Sequence, residues 1–244
     1  MFGHPAEPSA TFVPTGRVYE RHEPFGDIDG RYRLFDRLDL STTTGNINIE
    51  IDPQEGELPA DLSLSSNLGS VTVRVSSEYL LRNHRAQRCF RTTVRSWTGS
   101  IYAEILLGYG GSALVYTTVG AQTVSVIGQG LGPADEISNL TTLSNSGPQK
   151  VVLTSIGPAA IPLSNLRAEH HVLGTGSMDI TYPTNWQGEV HANASPVGQI
   201  EVDGEGLVYS QGRHQEVRAH RGSSHAPISV EIISEGTGSI AFKC

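Results

Sequence analysis

The sequence predicts an all-β fold, and within that class an irregular, β-helix-like β-solenoid built from single-strand repeats. The first observation is a strand signature in which a small polar pair and a glycine precede alternating aliphatic and polar residues, clearest at residues 44–51, 68–75 and 98–105. The second is the period-two alternation itself, because such a strand buries one face and needs stacked neighbours to complete a core. The third is the near absence of helical apolar spacing between residues 40 and 202.

The copies of this signature are unevenly spaced. Later copies follow Gly120, Gly147, Gly176, Gly188, Gly198 and Gly238. The interval is 10 residues between Gly188 and Gly198 but 40 residues between Gly198 and Gly238. This spread excludes a strict short-period β-helix. It fits a solenoid whose turns differ in length, and a β-sandwich with unequal hairpins is the alternative.

The domain organisation follows from shifts in composition. Residues 1–24 contain four prolines among polar and charged residues, which favours an extended or partly disordered N-terminal arm. Residues 25–244 are expected to form a single domain that opens with a short strand, or alternatively a capping helix, over residues 25–40. Charged insertions are expected near 76–96 and 203–227, the second as a long loop or hairpin. The closing strands at 228–233 and 238–243 should cap the body, because a solenoid needs atypical terminal units.

Composition limits the possible functions. A net charge of −8 argues against nucleic acid and anionic membranes as partners, since both require a positive electrostatic footprint. The chain has two cysteines, Cys89 and Cys244, too few for a disulfide-dense scaffold, although the two could pair. It has no apolar stretch long enough to span a membrane, and its first residues do not resemble a signal peptide. These features predict a cytoplasmic protein.

The glycine-led signature resembles that of a known family. Residues 42–49 and 66–73 are similar to the repeats of the adhesin-like β-solenoid domains, a family of unknown function found in bacteria and, in divergent form, in fungi. The resemblance covers roughly residues 40–243 and identifies the chain as a divergent, fungal-type member. It implies a stacked-strand fold without established catalytic residues. The insertions after Val75 and Val202 depart from the simple pattern and leave the repeat number open.

Three carboxylates alternate along one expected strand. Glu201, Asp203 and Glu205 would point to one face of an extended chain, about 6 to 7 Å between successive neighbours. Such a ladder could bind calcium or supply the acid and base for polysaccharide cleavage. The alternative is a solvated outer face, which is the usual place of acidic side chains.

A run of arginines forms the second candidate. Arg82, Arg85, Arg88, Arg91 and Arg95 recur every three or four residues. On a helix they would form one basic stripe suited to phosphate, carboxylate or an acidic partner surface. In strands they would instead be distributed over two faces and pair with nearby acidic residues.

The remaining candidates are histidines and a tryptophan. His214 and Glu216 could share a strand face, whereas the adjacent His170 and His171 must point to opposite faces unless the chain bulges there. The sequence contains neither an H-E-x-x-H motif nor a zinc-ligand spacing, so no metal or other cofactor is expected. Trp186 is expected in an exposed turn and is the better candidate for stacking on sugar rings. Trp97, just before Gly99, is expected to be buried.

These features predict a noncatalytic, adhesin-like binding scaffold or a self-assembling one, because the repeats present a long side surface and no catalytic set converges. A protein partner or self-association through the ends is expected, with a glycan as a possible ligand. The alternative is a carbohydrate-active enzyme, a polysaccharide lyase or glycoside hydrolase that uses the carboxylate ladder. A third hypothesis is an anion-dependent interaction module that uses the arginine run.

Overall fold

The structure, a computed structural model, describes residues 17–82, 88–129, 136–156, 165–213, 215–222 and 229–244, and these residues form an all-β fold of two long sheets. Sheet A contains β1 (Val18–Phe25), β3 (Arg37–Thr44), β5 (Ala60–Leu68), β7 (Phe90–Thr98), β9 (Ser112–Val119), β11 (Ser138–Ser146), β13 (Leu166–Val172), β15 (Gly188–Ala194), β17 (Val208–Arg213), β18 (Glu216–Arg221) and β19 (Ser229–Ser234). Sheet B contains β2 (Ile28–Leu34), β4 (Ile47–Pro53), β6 (Val71–Val75), β8 (Ile101–Leu107), β10 (Gln122–Gln129), β12 (Gln149–Ile156), β14 (Met178–Thr181), β16 (Ile200–Asp203) and β20 (Ile240–Lys243). A short helix, α1 (Ser77–Arg82), follows β6.

Successive strands alternate between the two sheets. From β1 to β14 each odd-numbered strand lies in sheet A and each even-numbered strand in sheet B. Each strand therefore pairs in parallel with the strand two places away in sequence, as β4 does with β2 and β6. The core lies between the two sheets.

The period-two pattern explains the core. In β4, Ile47, Ile49 and Ile51 are buried, while the intervening residues face outward. Parallel register places like side chains on top of one another, so that Ile47 lies between Ile28 and Val71. Each fully buried aliphatic side chain of this kind contributes about 1.5 to 3 kcal/mol relative to an exposed one. Every strand thus completes its core only through its neighbours in the stack.

A column of glycines runs along the turn that leads from sheet A to sheet B. In spatial order it contains Gly26, Gly45, Gly69, Gly99, Gly120, Gly147, Gly176, Gly238 and Gly198. A Cβ on Gly45 would overlap the carbonyl oxygen of Gly26, and the same overlap recurs at each later step. In addition to Gly45, seven of the signature glycines lie in this column. Gly188 is the exception, since it begins β15.

Hydroxyl groups inside the core reinforce the column. Thr42 donates a hydrogen bond of 3.0 Å to the carbonyl of Gly26, and Ser66 donates one of 2.8 Å to that of Gly45. Ser96 and Thr117 repeat the bond one and two turns later, at 2.9 and 3.2 Å. Each hydroxyl is buried and sits three residues before its own column glycine. The pattern accounts for the Ser or Thr that stands three residues before Gly45, Gly69, Gly99 and Gly120.

The C-terminal strands do not cap the body, contrary to the expectation from sequence. β19 lies between β13 and β15 in sheet A, and β20 lies between β14 and β16 in sheet B. The column glycines follow the same order, because Gly238 stacks on Gly176 and Gly198 stacks on Gly238. The last strand pair is therefore inserted into the stack. Sheet A ends instead with the antiparallel hairpin of β17 and β18.

Two predicted boundaries are wrong. The body begins at Val18, because β1 pairs along its whole length with β3, so the arm cannot extend to residue 24. Residues 1–16 lie outside the described residues. The predicted insertion at 76–96 is also too long, since β7 begins at Phe90. For residues 203–227 the sequence predicts a long loop or a hairpin. The described residues there form a hairpin of β17 and β18.

One buried polar chain crosses the core near β13. The Tyr182 hydroxyl lies 3.0 Å from His170 Nε2, and His170 Nδ1 lies 2.8 Å from the Thr142 hydroxyl. Thr142 donates to Gln149 Oε1, and Gln149 donates to the carbonyl of His171. These directions require a neutral His170 that donates from Nδ1 and accepts from Tyr182 at Nε2. Burial lowers the pKa of His170 to about 3 and raises the pKa of Tyr182.

In the described part of the chain, no helix has the length and apolar character needed to cross a membrane.

Candidate functional site

The outer face of sheet A, formed by side chains that point away from the core, contains a groove across β5, β7, β9 and β11. Its volume is about 450 Å³. We call it the Trp97 groove, and the residues that line it are Ser65, Ser66, Asn67, Arg95, Ser96, Trp97, Leu114, Tyr116 and Leu143. The groove therefore joins aromatic, aliphatic, amide, hydroxyl and guanidinium groups on one sheet surface.

Strand register builds the groove. Ser65, Arg95, Tyr116 and Leu143 occupy one row across the four strands. Neighbouring strands lie about 4.8 Å apart, so this row is roughly 14 Å long. Trp97 lies on the same face as Arg95, two residues further along β7. The Tyr116 hydroxyl is 3.0 Å from that of Thr118, which holds the phenol along its own strand.

The two tryptophans have exchanged the places expected from sequence. Trp97 is 61% exposed, whereas Trp186 is completely buried. Trp186 packs edge-on against Tyr182 and Phe242, with ring centroids 5.7 Å from each. The expectation of an exposed Trp186 is therefore wrong, and it is a core residue. Trp97 is the exposed aromatic residue that the sequence interpretation missed.

A signal for Trp97 was present in the sequence. Counting back from the five column glycines Gly45 to Gly147, the third residue is a buried hydroxyl residue, as at Thr42, Ser66 and Ser96. The second residue before each glycine must then point outward, because side chains alternate along a strand. Trp97 holds this position before Gly99, and Asn67 holds it before Gly69.

The arginine run does not form one basic stripe. α1 ends at Arg82, and Arg85 lies outside the described residues. Arg88 is buried, with bonds of 2.6 Å to the carbonyl of Leu58, 2.7 Å to that of Gln54 and 3.0 Å to Asp36 Oδ1. It closes the loop between β4 and β5 and is not available to a partner.

Arg91 and Arg95 both point outward from β7 but differ in their surroundings. Arg91 lies 4.0 Å from Asp61, the residue opposite it on β5. Arg95 makes no ion pair with any residue that the structure describes, and it adjoins Trp97 and Tyr116. Of the three arginines in this run whose side chains the structure describes, Arg88, Arg91 and Arg95, Arg95 is the one placed to bind something outside the chain.

The outer face of sheet B also carries charged side chains. Arg31 lies 3.6 Å from Glu50, 3.9 Å from Asp52 and 3.3 Å from Glu78. Arg74 lies over the ring of Tyr102 with its Cζ 5.5 Å from the ring centroid. Ion pairs occur on sheet A as well, between Arg37 and both Glu20 and Asp39 and between Arg218 and Glu216.

The carboxylate ladder lies at the edge of sheet B. Glu201 and Asp203 are exposed on the outer face of β16, where Asp203 is opposite Lys243 of β20. β16 ends at Asp203, so Glu205 lies in the following turn and does not continue the ladder. The Trp97 groove is on the other sheet. The arrangement matches a solvated face.

The candidate histidines that the structure describes, His170 and His171, form no metal site. His214 lies outside the described residues, so its proposed pairing with Glu216 stays a prediction. His170 is buried and His171 faces outward, which confirms that they occupy opposite faces. Among the residues described, no three His, Cys, Asp or Glu side chains gather as metal ligands. Both cysteines are free, and burial raises the pKa of the thiols of Cys89 and Cys244.

Comparison with known proteins gives no assignment: no family model, no curated protein and no solved structure matches this chain.

Proposed function

We propose that this protein is a noncatalytic β-solenoid scaffold that binds a partner through the Trp97 groove. Three observations support the solenoid: the parallel pairing of every second strand, the alternation of successive strands between two sheets, and the continuous glycine column. Strands stacked in this way form a continuous side surface, which suits binding to extended or repetitive partners.

The exposed Trp97 beside Arg95 and Tyr116 carries the proposal. A largely exposed indole on a regular strand contributes little to folding, because its ring makes few core contacts. Tryptophan, tyrosine and arginine are also the residues that most often dominate the binding energy of protein interfaces. Their convergence on one groove points to binding at the side of the stack.

The ends of the stack fit this role less well. β1 forms one edge of sheet A and carries Glu20, Arg21, Glu23 and Pro24. Charges and proline on an edge strand oppose the addition of further strands. At the other end, β16 is only four residues long and exposes two carboxylates. We therefore place binding on the face of sheet A.

The test compares wild-type protein with Trp97→Ala in two binding assays. The first follows molar mass by light scattering as the protein concentration rises. The second measures, by isothermal titration calorimetry, binding to two soluble polysaccharides, a neutral β-glucan and polygalacturonate. We expect wild-type protein to bind in at least one assay and Trp97→Ala to lose that binding.

Tyr102→Ala is the matched control, because Tyr102 is also an exposed aromatic residue but lies on sheet B. Its binding should equal that of wild-type protein. If Trp97→Ala binds as well as wild-type protein in every assay, the groove is not the binding site. Release of new reducing ends or unsaturated sugars by wild-type protein would show that the scaffold is catalytic.

A further inference from the structure

The outer face of sheet A carries arginines on one side of the groove centre and glutamates on the other. Its rows run across all the strands, because the parallel register is continuous from β1 to β15. Arg95 lies on β7, on one side of the groove centre, and Glu169 lies on β13, on the other side. Arg37 on β3 and Glu189 on β15 also lie on opposite sides of the groove centre, at a greater distance from it.

We propose that the occupant of the Trp97 groove is a second copy of this chain, packed face to face on sheet A. The twofold axis would lie parallel to the strands and pass between β9 and β11. This operation keeps each row in place and reverses the strand order, so β7 faces the partner's β13 and β3 faces the partner's β15. The inference rests on the proposed binding role of the groove.

The centre of such a dimer is apolar. Tyr116 comes opposite the partner's Leu143, and the twofold axis repeats the contact with the roles exchanged. Trp97 comes opposite the partner's Leu173, which follows β13 and is 40% exposed. Aromatic side chains at the centre of an interface with charges around them match the usual anatomy of protein interfaces.

Charges surround this centre. Arg37 comes opposite the partner's Glu189 and Glu20 opposite the partner's Arg218, while Arg95 comes opposite the partner's His171 and one row from the partner's Glu169. Within its own chain Arg37 also lies 3.3 Å from Glu20 and 3.0 Å from Asp39, and Arg218 lies 3.1 Å from Glu216. Like charges come near each other where Arg91 faces the partner's Arg167, with Asp61 at 4.0 Å from Arg91, and where Asp61 and Asp39 lie one row from the partner's Glu231 and the partner's Glu189. The apolar centre and the two directly opposed pairs of opposite charge support the axis parallel to the strands.

The available area is sufficient. From β1 to β18 the face spans nine strand intervals, or about 43 Å, and its outward rows with their side chains cover about 20 Å along the strands. The product is on the order of 800 Å² on each partner, which is the standard size of a specific interface.

The experiment uses charge reversal followed by light scattering and sedimentation, from about 1 to about 200 μM, a range that brackets a micromolar dissociation constant. We expect wild-type protein to form dimers. R95E and E169R should each weaken the dimer about tenfold or more, because each creates two contacts between like charges. The double variant R95E/E169R should recover most of the affinity. K150E changes the charge equally on the outer face of sheet B and should leave the dimer unchanged.

Two results would overturn the dimer. One is wild-type protein that stays monomeric over the whole range, and the other is a double variant at least as weak as the weaker single variant. The proposed function fails separately: if Trp97→Ala still dimerises fully and also binds polysaccharide like wild-type protein, the groove binds nothing. A monomer whose polysaccharide binding depends on Trp97 would refute the dimer and retain the groove.

Discussion

The inner and outer faces of sheet A are built from alternate residues of the same strands, yet they have different roles. On β7 the inward residues Phe90, Val94 and Ser96 are buried and fixed by the stack. The outward residues Arg95 and Trp97 leave the glycine column and the core untouched. The difference teaches that this protein can change what it binds without changing how it folds. Substitutions at neighbouring positions should therefore have very different effects.

The largest effect should come from the glycine column. Gly99→Val would place a branched side chain at a φ of 146° and against the carbonyl of Gly69. Backbone strain and overlap with the neighbouring turn should together cost about 5 kcal/mol or more. Urea denaturation would measure the loss of stability, or the yield of folded protein would show it. Thr98→Val, one residue earlier and exposed, is the control and should stay close to wild-type stability.

The two tryptophans test the comparison directly. Trp186→Ala should lower the free energy of unfolding by about 4 kcal/mol, because it empties a fully buried site between Tyr182 and Phe242. Trp97→Ala should change it by less than about 0.5 kcal/mol. Urea denaturation of both variants gives the values. Equal losses of stability would mean that Trp97 is part of the core after all.

The buried His170 should make stability depend on pH. Its folded pKa is about 3 against an ordinary value of 6.5, because burial and the nearby His171 disfavour the charged imidazole. Below pH 6.5 the unfolded chain therefore binds a proton that the folded chain does not. Stability from this group is complete above pH 6.5 and is lost as the pH falls towards 3, by about 3 kcal/mol at pH 4.

The measurement is urea denaturation between pH 7 and 4. His170→Gln should be less stable at pH 7 but should lose less stability on acidification than wild-type protein does. His171→Gln, at the neighbouring outward position, should retain the wild-type pH dependence. If His170→Gln retains it as well, the acid sensitivity arises from other groups.

The smallest difference in stability should be the one between variants of two arginines in the same run, Arg88 and Arg95. Arg88→Met removes the hydrogen bonds to the carbonyls of Leu58 and Gln54, and we expect a loss of about 2 kcal/mol. Arg95→Met should alter stability by less than about 0.5 kcal/mol, since Arg95 is exposed. Thermal or urea denaturation measures the loss of stability in both variants. A larger loss for Arg95→Met would contradict its assignment to the outer face.

The sequence carries much of the architecture and little of the site. The alternation at Ile47, Ile49 and Ile51 is enough to predict an all-β fold, because only a period-two element buries every second residue. The signature glycines are recognisable because the close approach of stacked turns leaves no room for a Cβ. The glycine turn that follows Trp97 suggests a buried ring. Its exposure depends instead on whether its position in the alternation of β7 points inward or outward.

Other features depend on contacts between distant residues and cannot be read locally. Arg88 belongs to an apparently basic run, but carbonyl groups 30 and 34 residues away in sequence hold it in a buried position. The position of β19 and β20 also has no local signal, because the strands of residues 229–243 have the same alternation wherever they insert. The row that joins Arg95, Tyr116 and Leu143 appears only when the register of three strands is known.

The insertion of the last strand pair has a consequence for synthesis on the ribosome. Strands β1 to β14 can assemble in the order in which they emerge, each on the edge left by the one before it. β15 and β16 cannot take their final places until residues 229–243 have been translated, since β19 and β20 separate them from β13 and β14. Until then, β13 and β14 lack their final neighbours in both sheets. Synthesis of residues 229–243 and completion of the stack are therefore coupled.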